Sequence, residues 1–204
     1  MHVQSLPDAL HCPGVLCGEA ELPTRHGVFR AFAIKDARGQ EHIVLIRGDV
    51  HGGVGVLTRV HSECLTGDVL GSRKCDCGPQ LQLALRRIAK ARAGMLFYLR
   101  QEGRGIGLVH KIRAYRLQEL GFDTVQANVV LGLPIDAREY RLVATVLKGL
   151  GVRSIRLLTN SPDKVEKLRS YGVRIAGRMP IRTPATRHNM HYLRTKREVL
   201  GHDL

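Results

Sequence analysis

The sequence predicts one mixed α/β domain, with strands at its N-terminal end and alternating strands and helices after them. Three observations carry that reading. Apolar runs of strand length precede any helical stripe, strand-like and helix-period segments alternate from Pro79 onward, and no repeat or Pro/Ser linker divides the 204 residues. With 44 % apolar residues, a chain of this length buries a real core.

Residues 1–20 contain Pro7, Pro13, Gly14 and Gly18 without periodicity and read as a loose arm, so the folded domain is expected over 21–177. Residues 27–34 and 42–47 are strand-like and joined by a polar, glycine-containing turn, 35–40, as in a hairpin. A third strand, 54–60, runs into a cysteine-rich loop. Pro79 suits the first turn of a helix that buries Leu81, Ala84, Leu85 and Ile88 and turns Arg86, Arg87, Lys90 and Arg92 away. Residues 94–99 form a strand that empties into the glycine-rich stretch 102–107. The next helix, 108–120, places Leu108, Ile112 and Tyr115 on one apolar stripe and Lys111, Arg113 and Arg116 off it. A helix over 136–150 has Asp136 as N-cap, Glu139 three residues on, and Tyr140, Val143, Ala144 and Leu147 inward. Residues 155–159 read as a strand; Ser161 caps and Pro162 starts a helix that Gly172 stops. Residues 178–197 hold six basic side chains (Arg178, Arg182, Arg187, Arg194, Lys196 and Arg197) and no acid, so 178–204 is expected as a mobile basic tail with a short helix near 191–200.

The formal charge of +14 calls for an anionic partner: nucleic acid, an anionic membrane or a polyanionic small molecule. Trp is absent and aromatic residues make up 4 %, which argues against a stacking reader of single strands and against specific nucleic-acid binding. A nucleoside triphosphate needs only a local basic cluster. No run of 18 apolar residues occurs and the first residues lack the basic-then-apolar layout of a secretory signal, so a cytoplasmic protein without a membrane partner is expected. Of five cysteines, Cys12 and Cys17 read as free thiols, while Cys64, Cys75 and Cys77 fall within fourteen residues.

Ten residues and then one residue separate those three, and Gly67, Gly71 and Gly78 frame them. Three soft ligands leave a tetrahedral zinc with an open position, the mark of a catalytic metal, at one zinc per chain. Two other readings stand beside it: buried structural thiols, or a closed site with His61 as fourth ligand. Glu63, beside the first thiol, reads either as a proton handler or as support for the metal. Strand, glycine loop and helix over 94–120 is an order that turns backbone N–H groups toward phosphate, although Gly103-Arg104-Gly105-Ile106-Gly107 lacks dinucleotide spacing. Arg138, in an expected first helical turn, opposes the helix dipole and is expected to face an anion unless it pairs with Asp136 or Glu139.

The stretch Arg-Val-His-Ser-Glu-Cys-Leu-Thr-Gly-Asp-Val-Leu-Gly-Ser-Arg-Lys-Cys-Asp-Cys-Gly at 59–78 resembles the zinc-binding signature of the GTP cyclohydrolase II family. Arg-Gln-Glu-Gly-Arg-Gly-Ile-Gly-Leu at 100–108, Lys-Ile-Arg-Ala-Tyr at 111–115 and Leu-Leu-Thr-Asn at 157–160 extend the resemblance to roughly residues 20–203. It implies a catalytic domain that hydrolyses GTP with zinc as the first step of riboflavin synthesis. The guanine imidazole ring is opened, formate and pyrophosphate leave, and 2,5-diamino-6-(5-phosphoribosylamino)pyrimidin-4(3H)-one remains. The resemblance also implies Cys64, Cys75 and Cys77 as zinc ligands, Asp136 as base, Arg138 as nucleophile on the α-phosphorus, and Tyr115 as a catalytic residue acting at ring opening or deformylation. Nucleotide contacts are implied for Arg59, Val60, His61, Ser62, Glu63, Gln80, Glu102, Gly103, Arg104, Thr124, Thr159 and Lys164. Mg2+ is implied with the triphosphate, as is a homodimer of the monofunctional form. Because a protonated guanidinium is a poor nucleophile, charge stabilisation stands as the alternative role of Arg138. Two other functions stay open: a relative that stops at an earlier product for a specialised pathway, and a zinc-stabilised nucleic-acid module, which needs a fourth zinc ligand.

Overall fold

The structure, a computed structural model, describes residues 18–199 and 201–203. Cys12 and Cys17 lie outside the described residues. The chain opens with a meander of β1 (Gly18–Thr24), β2 (Gly27–Lys35) and β3 (Glu41–Arg47). The expected hairpin between β2 and β3 is closed by Asp36, whose Oδ1 accepts the N–H groups of Arg38 (2.8 Å) and Gln40 (2.9 Å). β1 starts at Gly18, inside the segment expected as a loose arm. Six of its seven residues are exposed, so no inward apolar face announces it, and Pro23 fits only because this strand is an edge.

There follow β4 (Val56–Ser62), the single turn α1 (Leu65–Asp68), α2 (Cys77–Lys90), β5 (Gly94–Leu99), α3 (Leu108–Glu119), α4 (Thr124–Val130) and α5 (Arg141–Gly149). The chain ends with β6 (Ile155–Leu158), α6 (Pro162–Ser170), β7 (Ile175–Met179) and α7 (Met190–Glu198). Seven strands make one sheet in the order β1-β2-β3-β5-β4-β6-β7. The β1–β2, β2–β3 and β3–β5 pairs are antiparallel, and β5–β4, β4–β6 and β6–β7 are parallel. β4 lies between β5 and β6, and six of its seven residues are buried, as a strand covered on both faces requires. Residues alternate between two apolar layers. Phe32, Ile34, Val44, Ile46, Met95 and Phe97 pack with Tyr140, Val143, Leu147 and Leu168; Phe29, Leu45, Leu57 and Leu96 pack with Ala84, Ile88 and Ile181.

Three expectations change. The helix expected from 136 begins at Arg141: Asp136 Oδ1 accepts the Arg138 backbone N–H (3.0 Å), but this local turn does not continue into the helix, and the same carboxylate takes the Arg138 guanidinium. Arg138 therefore occupies a loop, and Asp136 caps nothing. α3 is rotated from its expected stripe: Lys111 and Ala114 are buried and Leu108 and Ile112 are exposed, while Tyr115 alone of the expected three keeps to the inward side. Finally, the segment expected as a basic tail packs on the domain, with Ile181, Thr195 and Lys196 buried. α6 matches expectation, with Ser161 Oγ accepting the Lys164 N–H at 3.2 Å. α4 is announced by its N-terminus, where Asp123 and Gln126 form a reciprocal capping box. No helix among the described residues is long and apolar enough to cross a membrane.

Gly48 follows β3 at φ 67°, where a Cβ would stand 2.1 Å from the Arg92 carbonyl oxygen; Gly39, at φ 77°, has open space. Gly39→Ala is expected to cost about 1–2 kcal/mol from left-handed backbone alone. Gly48→Ala should cost clearly more, since the backbone at Arg92 must also move, and urea unfolding of the two variants measures the difference.

Candidate active site

In a sheet of this kind the crevice opens beyond the carboxyl ends of the parallel strands. Ser62 at the end of β4, Leu99 at the end of β5 and Thr159 just past β6 come out on that side. From Ser62 the chain turns directly through Glu63 and Cys64 into α1, then loops to Cys75 and Cys77 at the start of α2. The three sulfurs lie within 4.8 Å of one another, and Cys64 Sγ is 3.6 Å from Cys75 Sγ. Zinc–sulfur bonds of about 2.3 Å in a tetrahedron place sulfurs about 3.8 Å apart, so the separation fits one shared ion. Among the described residues no histidine or carboxylate joins the group. His61, weighed as a fourth ligand, is held elsewhere: its Nε2 lies 3.0 Å from Asp68 Oδ2.

Asp68 organises this loop. Besides facing His61, its Oδ2 accepts the Cys64 backbone N–H (2.9 Å) and the Tyr98 hydroxyl (2.9 Å), tying the first thiol to both central parallel strands. Convergence also needs a missing side chain: a Cβ at Gly67 would sit 2.7 Å from Cys75 Sγ and 3.1 Å from Cys64 Sγ. From α3, Lys111 Nζ reaches Cys64 Sγ (3.1 Å) and Glu102 Oε1 (2.8 Å), while Glu102 Oε2 accepts the Leu65 N–H (2.7 Å). Burial lowers the Lys111 pKa, but Glu102 and Cys64 more than reverse that, so the ammonium is held. Tyr115, one turn on, lies on the inward face, with its hydroxyl 3.5 Å from Thr66 Oγ1. Lys111 was not anticipated as a site residue; its place one turn before Tyr115 is the signal that could have found it.

The opposite wall is cationic. Arg59 is buried, donating to the Leu158 carbonyl (2.8 Å) and to Gln80 Oε1 (2.9 Å). Lys164 is buried too, with Nζ donating to the Val60 carbonyl (2.7 Å); burial, then Arg59 and Arg138, hold its pKa well below the ordinary lysine value. Arg138 Nε donates to both oxygens of Asp136 (2.9 and 3.1 Å), and its terminal nitrogen makes a further contact with Asp136 Oδ2. Although burial works the other way, Arg138 pulls the Asp136 pKa down to about 2. Arg104 sits in left-handed backbone (φ 63°), uncommon for a side chain of its size. Its carbonyl accepts the Ala137 N–H (3.0 Å), so the glycine loop and the Arg138 loop lean on each other.

Arg59, His61, Ser62, Glu63, Gln80, Glu102, Gly103, Arg104, Tyr115, Thr124, Arg138, Thr159 and Lys164 line one cleft with the three cysteines. Two expected residues do not. The Val60 side chain lies in the core and only its carbonyl serves the site, while Asp136 acts from behind Arg138. Asn160, which closes the 157–160 motif, also lines the cleft, and Tyr192, Lys196 and His202 do so unannounced by any motif. A model of the GTP cyclohydrolase II family matches residues 16–180. The chain belongs to the GTP cyclohydrolase II family. GTP cyclohydrolase-2 of Neisseria gonorrhoeae is 53 % identical over 181 residues, 89 % of this chain and 92 % of that protein. Riboflavin biosynthesis protein RibBA of Salinispora arenicola is 56 % identical over 189 residues, spanning 92 % of this chain but 45 % of that longer protein. RibBA of Mycobacterium bovis is 55 % identical over 192 residues, again within 45 % of its length. The cleft residues quoted from the 59–78, 100–108 and 157–160 motifs all fall inside the stretch that this GTP cyclohydrolase II model covers.

Gly67→Ala should push Cys75 Sγ out of the cluster and lower the metal retained per chain after dialysis relative to wild type, by metal analysis, with the far-UV circular dichroism retained. The Asp136–Arg138 pair sets a separate expectation in acid. A folded pKa of about 2, below the ordinary 3.8, means that the pair stabilises the fold fully above the ordinary value and loses its contribution as pH falls through 2. Asp136→Asn should therefore flatten that part of the stability profile between about pH 4 and 2, read by urea titrations at each pH.

Proposed function

We infer that this chain hydrolyses GTP, opening the guanine imidazole ring and releasing formate and pyrophosphate to leave 2,5-diamino-6-(5-phosphoribosylamino)pyrimidin-4(3H)-one, the first step of riboflavin synthesis. The observation that carries this reading is a single cleft joining a three-thiol cluster to a wall of buried cations. Membership of the GTP cyclohydrolase II family supports the substrate and the reaction.

Cys64, Cys75 and Cys77 would hold zinc, which when bound supplies the Lewis acidity that makes water a nucleophile near neutral pH. Lys111, on the Cys64 sulfur, favours the thiolate that such a ligand must be. Tyr115 offers a phenolic O–H on the thiol side of the cleft, suited to holding the purine ring or the attacking water. Arg59, Arg104, Arg138 and Lys164 receive the triphosphate, and Mg2+ enters with it as its counter-ion. Asp136 keeps the Arg138 guanidinium protonated and aimed, which supports charge stabilisation at the α-phosphorus in preference to nucleophilic attack. Exposure of Leu108, Val109, Ile112, Val129 and Val130 on α3 and α4 supports a homodimer through that face. Three reduced thiols support a cytoplasmic setting. The nucleic-acid reading is the less supported, since among the described residues no histidine or carboxylate joins the three thiols as a fourth ligand and His61 faces Asp68.

Formate and pyrophosphate measured on the same samples test the reading. Wild-type protein should release both from GTP. Cys75→Ser should lose zinc and formate release together; formate at the wild-type rate without zinc would overturn the metal assignment. Arg138→Ala should slow pyrophosphate release about 10²–10³-fold, the usual worth of one charge-stabilising group. Formate should fall with it, because triphosphate binding orients the neutral purine. Pyrophosphate at the wild-type rate would remove Arg138 from the mechanism.

A further inference from the structure

The segment after β7 is pinned at both ends to one residue just past β6. Asn160 Nδ2 donates to the Ile181 carbonyl (3.0 Å), the Ile181 N–H donates to Asn160 Oδ1 (2.8 Å), and the Asp203 N–H donates to the Asn160 carbonyl (3.0 Å). The Asp203 carboxylate takes Arg178 (3.1 Å) and Arg182. Between these anchors α7 carries Lys196 into the cleft at 7 % exposure, with Nζ 2.9 and 3.3 Å from the two oxygens of Asp76. Asp76 stands between two of the cluster's cysteines and is tied through Gln80 to Arg59.

Packing alone gives no reason for this arrangement. A buried Lys–Asp pair is seldom a net gain over apolar contact, and here it adds a cation to a wall already crowded with them. His202, beside it, has its pKa pushed down to about 3 by burial and by Lys196, Arg104, Arg138 and Lys164. Its Nδ1 is buried with no hydrogen-bond partner among the described residues. Cations from β4, the glycine loop, the 136–138 loop, α6 and α7 thus repel one another in the empty cleft, and a polyanion is what relieves them.

We propose that the C-terminal segment completes the nucleotide site: Lys196, positioned by Asp76, and His202 bind the triphosphate beside Arg104 and Lys164. An ammonium carries three N–H groups; Asp76 fixes the direction of Nζ and leaves capacity for a phosphate oxygen. His202 supplies its ring nitrogen at the same place, and the anion offsets the charges that keep the imidazole neutral. This inference rests on the reading of the ligand as GTP.

The test uses the zinc-loaded full chain and two probes, a GTP analogue with a methylene group between the α and β phosphorus atoms, and guanosine. Lys196→Gln and His202→Ala should each weaken the analogue by about tenfold, the usual worth of one buried charge-assisted hydrogen bond, and leave guanosine affinity unchanged. On wild-type protein, saturating analogue should slow tryptic cleavage at the exposed Arg194 and Arg197 by about tenfold or more, while guanosine should not. The protease arm needs no variant, so it decides the matter even if a substitution fails to fold. Analogue affinities within twofold of wild type, or cleavage indifferent to the analogue, would overturn this inference and leave the GTP reading intact. Failure of wild-type protein to bind the analogue at all would overturn both.

Discussion

Holding three sulfurs within 4.8 Å of one another is the constraint on which the rest of the cleft depends. Thiols brought that close repel once ionised, so the loop that carries them must be held from outside. Asp68 does this with one carboxylate, accepting from the Cys64 backbone and from Tyr98 on β5 and facing His61 on β4. Lys111 adds a fixed positive charge at the Cys64 sulfur, and Glu102 holds Lys111 there while also accepting the Leu65 N–H. The thiol cluster is thereby rigidly referred to the two central strands, the least deformable part of the sheet. Gly67 leaves the volume in which the sulfurs meet.

The second wall follows a different logic. Arg59 and Lys164 are buried with backbone carbonyls as partners, which satisfy donors without cancelling charge. Among the described residues, only Asp136 and Asp76 pair formally with the cations of this wall, at Arg138 and Lys196. Like charges therefore face each other at close quarters, as the depressed pKa of Lys164 records. Such a wall is costly to assemble and needs no reorganisation when phosphate arrives, which is the arrangement that electrostatic preorganisation requires.

Both walls exist because of where the parallel strands end. With β4 between β5 and β6, the residues leaving three neighbouring strands emerge side by side, and each supplies a different part of the cleft. The β4 end leads to the thiols, the β5 end to the glycine loop, and the β6 end to Thr159, Asn160 and the start of α6. The antiparallel meander contributes core and an edge, and its strand β3 covers the open side of β5.

Much of this was legible in the order of residues. Close spacing made the Cys64, Cys75 and Cys77 cluster visible, because a metal loop of this kind is local in sequence. The β2–β3 hairpin, α2, β5 and α6 followed from periodicity and caps, which are also local. Elements whose signal is not local were missed or turned: β1 has no buried face, and α3 buries Lys111 because Glu102 and Cys64 draw it inward. The pairing of Arg138 with Asp136 is local and was one of the two readings the sequence left open. The C-terminal residues looked like a solvated basic tail because residues 178–197 hold no acid, and the partner of buried Lys196 is nowhere near it in sequence. Only the tertiary fold brings Asp76 to Lys196 across 120 positions of chain, and with it α7 into the cleft. The sequence by itself determined which chemistry the chain carries, since ligand types and motif spacings are written residue by residue. The fold decided which charges face one another, since that depends on contacts between residues far apart in the chain.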